Sequence, residues 1–182
     1  MSFSLYDATI PNYLQLLGAV AGLIDKAEAW CTEHGHAPEE IIQARLAPDM
    51  LPFAYQVKSA AVHSIGAIEG VRAGVFSPDR APAPADFAGL RARIAQATQA
   101  LKALDAAEVN GFIGKDVEFV FGERRLPFVA ENFLLSFSQP NFYFHATTAY
   151  DILRWKGLPI GKADYTGRLR LKRPATAPPS AA

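Results

Sequence analysis

The chain has 182 residues, half of them hydrophobic and a fifth charged, with 18 basic side chains against 18 acidic ones. A chain of this size buries roughly 70% of its unfolded surface in one core, and a mean hydropathy of +0.06 excludes disordered, collagen-like and rod-forming classes. Zero formal net charge and a pI near 6.9 leave no global field for gripping a nucleic-acid backbone or an anionic membrane, so neither is an expected partner.

Tyr6, Ile10, Tyr13, Leu17, Val20, Ile24, Ala27 and Cys31 recur in alternating steps of four and three, which lays one apolar stripe along a first helix. Pro11 predicts a short first turn or a bend in it, and Gly35 ends it. Cys31 sits in the stripe and reads as a small buried hydrophobe; as the single cysteine it forms no internal disulfide or redox pair. Residues 34–51 read as turns, with His34 and His36 exposed.

Pro52 marks the start of a second helix running to about Ala73, with the stripe Phe53, Val57, Ala60, Ser64, Ala67 and Val71. Gly66, Gly70 and Gly74 remove volume from one face, which predicts either close approach of another backbone or a cavity. A proline-rich connector, 77–86, leads to Asp86 as cap of a third helix with Phe87, Leu90, Ile94, Ala97, Leu101 and Leu104 as its stripe.

The period then changes to two. Val117, Phe119 and Phe121 alternate with more polar neighbours, and Gly122 and Glu123 precede Arg124, Arg125 and Leu126, which predicts a small β-hairpin. A fourth helical region runs from near Pro127 to Gly157, with a break near Ser138–Pro140. The predicted organisation is one domain over residues 1–171 and a disordered tail over 172–182. Its fold class is all-α: an antiparallel up-down four-helix bundle with the hairpin inserted between helices three and four.

No segment reaches the roughly 18 apolar residues that cross a bilayer, and the N-terminus lacks a cationic leader, so a soluble cytoplasmic protein is expected. No GxSxG, HExxH, P-loop or GxGxxG occurs. The chemistry therefore rests on a few polar residues at helical spacing. His63 lies midway along the second helix beside the glycines. His145 lies in the fourth, four residues after Asn141 and on the same face. Inward side chains on facing helices assemble sites in bundle cores, which makes His63, Asn141 and His145 the candidate constellation. Gln56 and Tyr150 extend it as a hydrogen-bonded cluster. A metal site normally takes three strong protein ligands, and Asn141 offers only an amide oxygen, with Asp49, Glu69 or water left to complete a shell. From Asp151 onward seven basic residues stand against two acidic ones, which reads as a solvated basic tail.

The stretches ARLAPDMLPFAYQVKSA (44–60) and PNFYFHATTAYDILRWKGLPIGKADYTG (140–167) resemble a bacterial domain-of-unknown-function family in the DinB-like superfamily of four-helix bundles. The resemblance implies metalloenzyme ancestry, frequent homodimers and, in some relatives, thiol-dependent S-transferase or isomerase activity. It also implies a divalent metal such as nickel or zinc, held by one histidine of the second helix and an HxxxH pair of the fourth. Anchoring on Leu153, Arg154 and Gly157 puts His145 at the second histidine of that pair, Asn141 at the first, and His63 on the second helix. With Asn141 in a ligand position the expected function is a degenerate metal site that binds a small molecule, in a homodimer. The alternative is a divalent-metal-dependent thiol S-transferase or isomerase-like enzyme using His63 and His145.

Overall fold

The computed structural model describes residues 3–172. The expected tail, 172–182, lies outside them apart from Lys172.

Helix α1 spans Leu5–His34 without interruption, Pro11 included. Ser4 starts it with a reciprocal cap: its Oγ accepts from Asp7 N at 3.2 Å while Asp7 Oδ2 accepts from Ser4 N at 3.1 Å. The predicted stripe is buried from Ile10 to Cys31, and burial pushes the Cys31 thiol up. A short α2, Glu39–Ile42, occupies part of the expected turn region and buries Ile41 and Ile42.

The second predicted helix is present from Pro52 onward, in three parts: α3 (Phe53–Ala61), a π-helical segment (Val62–Gly66) and α4 (Ala67–Ala73). Every residue of its predicted stripe is buried. The glycine face is explained at Gly70, where an added Cβ would sit 2.8 Å from Phe76 Cβ. Phe76 belongs to strand β1, Val75–Phe76, so the volume removed at Gly70 admits a strand.

Asp86 caps α5 (Phe87–Lys102) by accepting from Gly89 N at 2.6 Å. Helix α6 (Ala106–Asn110) follows, then strands β2 (Asp116–Phe121) and β3 (Arg124–Val129). Gly122, at φ 60°, takes the first central position of their two-residue turn, where type II′ hairpins need positive φ. The structure corrects two expectations here. The hairpin is part of a three-stranded sheet of order β1-β2-β3, because Val75 and Phe76 pair in parallel with Glu118 and Phe119. The fold is thus mostly helical, as expected, with a small three-stranded sheet in place of a lone hairpin. Pro127 does not open a helix either: it pairs opposite Glu118 in β3, an edge strand that tolerates its missing N–H.

The last helical region begins with α7 (Ala130–Asn132), passes through a second π-helical segment (Phe133–Ser138) and continues as α8 (Gln139–Trp155). The change of winding ends at Ser138, within the expected break. Helix α9, Lys162–Thr166, then packs on α1. Over one core, α1 packs against α5 and α8, and α3 against α8 and α5. Among the described residues no helix is long and apolar enough to cross a membrane.

Candidate functional site

The two π-helical segments touch at His63, the candidate histidine of the second helix, which lies in the first of them. A π turn inserts a residue into the helical repeat and re-aims the side chains around it, a feature frequent at functional sites. His63 Nδ1 lies 3.3 Å from Oγ of Ser138, the last residue of the opposite π segment, and that hydroxyl donates to the His63 carbonyl at 3.0 Å. The hydroxyl's single proton is committed to the carbonyl. It therefore accepts from His63, which carries its own proton on Nδ1.

His145, on α8, is fixed by the same logic from another side. Gln56 Nε2 donates to the Leu51 carbonyl at 2.8 Å, which leaves Gln56 Oε1 to accept from His145 Nδ1 at 2.7 Å. Both imidazoles thus hold their protons on Nδ1 and keep the lone pair of Nε2 available. The rings stack at 20° with centroids 5.6 Å apart, and neither Nε2 has a hydrogen-bond partner among the described residues. Burial holds both rings down to about 4, with the neighbouring His145 adding to the effect on His63, so the pair is neutral near pH 7.

An aromatic wall surrounds the pair. Phe76 and Phe137 pack on His63, and Tyr55 and Phe144 pack on His145. Phe119 of β2 meets Phe137 at a centroid distance of 4.8 Å, so the sheet braces the back of the site. Beside it, Val62, Gly66, Gly70 and Phe76 line a cavity of about 380 Å³ that also holds Glu69, Asp79 and Arg93. One wall of that cavity is the proline-rich connector. Lys58, buried in α3, pins it by bonding the carbonyls of Asp79 and Ala81 and the Asp79 carboxylate.

Three of the predicted residues come together: His63, His145 and Gln56. Asn141 shares the α8 face with His145, but its Nδ2 donates back to the Phe137 carbonyl at 2.7 Å. Tyr150 is grouped differently from the expectation, edge-on to Tyr165 of α9 with centroids 6.0 Å apart. Five residues carry it about 140° around the helix from His145, a rotation that outweighs nearness along the chain. Sequence reasoning missed Ser138, Tyr55, Phe76 and Phe137. The expected break near Ser138 was the one signal that pointed to any of them.

Two imidazoles and an amide do not make the three-ligand set that a structural or catalytic transition metal ordinarily takes. Among the described residues no group of three or more His, Cys, Asp or Glu side chains could hold a metal ion, so neither Asp49 nor Glu69 completes the pair.

The mostly helical fold is DinB-like, as its likeness to a solved DinB family member shows. Residues 5–166 match DUF1993, a domain of unknown function, and the chain belongs to that family. It is also similar to a solved DinB family member protein from Shewanella denitrificans, at 28% identity and a TM-score of 0.78, over 93% of this chain and 96% of that one. No protein of curated function matches it.

Proposed function

We propose that the protein is a bacterial, cytoplasmic DinB-like four-helix bundle that binds a small molecule at His63 and His145 without needing a metal. The observation that carries this reading is the matched pair of Nε2 lone pairs. Two neutral acceptors stand side by side among aromatic side chains, each held in one tautomer by Gln56 or Ser138. Such a pair suits a ligand that offers hydrogen-bond donors from a flat or apolar body. The bundle assignment is supported by the closed ring of contacts α1–α5–α3–α8–α1, which sets α3 across from α1 rather than beside it as a simple antiparallel up-down order would. Homodimerisation belongs to the same proposal and is read by sedimentation velocity.

One observation favours a second reading, a divalent-metal-dependent thiol S-transferase or isomerase-like enzyme. Metal-ligating histidines commonly donate the other ring N–H to a fixed acceptor, as both do here. Elemental analysis of untagged protein separates the two, before and after addition of nickel or zinc and beside a His63→Ala, His145→Ala double variant. The metal-free reading expects no stoichiometric metal in either protein. Near-stoichiometric metal that the double variant loses would overturn it in favour of the enzyme.

A further inference from the structure

The basic run near the C-terminus plays no part at the histidine pair, and it borders a groove against α1. Residues 167–172 read Gly-Arg-Leu-Arg-Leu-Lys, and side chains along an extended chain alternate between sides. All four side chains are exposed, Leu169 and Leu171 at 55% and 77%, and Arg168 and Arg170 line a groove of about 560 Å³ against α1.

The segment is clamped in place. Gln15 Nε2 donates to the Thr166 carbonyl at 2.8 Å, Arg170 donates to Asn12 Oδ1, and Lys26 meets Asp164 at 2.6 Å. A Cβ at Gly167 would lie 3.1 Å from Ala19 Cβ, so the backbone rests directly on α1. Lys102, at the end of α5, supplies a third cation to the same groove. Among the described residues none of these three cations pairs with a carboxylate.

An adjoining cavity of about 430 Å³ shares Gly18 and Lys102 with the first and continues over Leu17, Ala21 and Ile94. The one arginine lining it, Arg91, is neutralised by Asp25 at 2.8 Å and by Glu28. The trough therefore has a polarity: Arg168 and Arg170 at one end, Lys102 where the two cavities join, and a largely apolar run with Arg91 neutralised at the other.

We propose that this trough binds a free amphiphilic anion, a carboxylate or phosphate head on an unbranched apolar tail. The head sits among Lys102, Arg168 and Arg170, and the tail lies over Gly18 toward Ala21 and Ile94. The site is independent of the histidine reading and shares no residue with it.

The test is calorimetric titration of the full chain with sodium decanoate below its micellar concentration. A Cβ at Gly18 meets nothing within 4 Å, so Gly18→Leu directs its side chain into the trough without displacing a neighbour at its base. It should weaken decanoate at least about tenfold at an unchanged melting temperature. The Lys102→Gln, Arg168→Gln double variant should also lose about tenfold, roughly one charge-assisted contact. That loss should shrink at high salt, and the affinity for 1-decanol should not follow it. Several results would overturn the proposal: no decanoate binding, or equal binding by wild type and both variants. So would binding only to phosphatidylglycerol vesicles, or a dimer that Gly18→Leu dissociates without decanoate binding, which would make the trough an interface between copies.

Discussion

Acidification should cost this protein stability through the histidine pair, and the size follows from the geometry. In the unfolded chain an imidazole takes a proton near 6.5, whereas burial holds His63 and His145 to about 4 in the fold. Between those values the unfolded state binds more protons, so stability rises with pH there and falls as pH drops from 6.5 toward 4. At 1.36 kcal/mol per pH unit, acidifying to about pH 5 costs at most about 2 kcal/mol per ring. Both rings are half-buried, so partial hydration of the imidazolium reduces the pair's combined loss to about 3 kcal/mol. Urea unfolding followed by circular dichroism at about pH 7.5 and pH 5 measures it, beside a His63→Gln, His145→Gln double variant in which the carboxylates and the exposed His34 and His36 are unchanged. The wild type should lose about 3 kcal/mol more than the variant over this interval. NMR titration of the wild-type imidazole Hε1 signals gives the same information where the variant is too weak to compare. Equal losses in the two proteins, or rings titrating near 6.5, would refute the claim that burial keeps the pair neutral.

Three further outcomes follow from the packing. Gln56→Leu removes the acceptor of His145 Nδ1 and leaves the Leu51 carbonyl unpaired; it should cost about 1–3 kcal/mol and mix the His145 tautomers, seen in 15N shifts of the ring. Gly70→Ala should destabilise by about 1–3 kcal/mol in a melt despite the better helix former, because Phe76 of β1 occupies the place of the new methyl. Lys58→Met should cost about 2 kcal/mol by stranding the Asp79 and Ala81 carbonyls, and should speed amide exchange across 77–86 while leaving α1 protected.

What could be read in advance divides along a physical line. Heptad stripes report which face of a helix is apolar, and every stripe position from Phe53 to Val71 is buried as its spacing implies. Local chemistry was legible too: Asp86 caps a helix, and Gly122 turns a hairpin. Contacts whose partner is remote in sequence were not. Val75–Phe76 is too short for any periodicity, and becomes a strand only because β2 lies alongside and Gly70 lets Phe76 approach. Lys58 sits on a face that sequence alone would leave wet, and is buried because the connector folds over it. Tyr150 was assigned by nearness along the chain, where rotation about the helix decides.

The π segments connect these misses to the site. A sequence stripe in steps of three and four cannot announce a π turn, because the inserted residue only shifts which side chain faces the neighbour. Here each change of winding supplies one partner of a reciprocal contact: His63 offers its ring N–H and its carbonyl, and Ser138 offers one hydroxyl that serves both. An uninterrupted α-helix at either position would rotate one of these groups away from the other. Its loss would release the His63 tautomer, while His145 would stay fixed by Gln56 from the α3 side. Two histidines on separate helices therefore become a matched pair through separate second partners. Asn141 anchors neither ring, since it donates to the Phe137 carbonyl, so substituting it should leave both histidine tautomers in place.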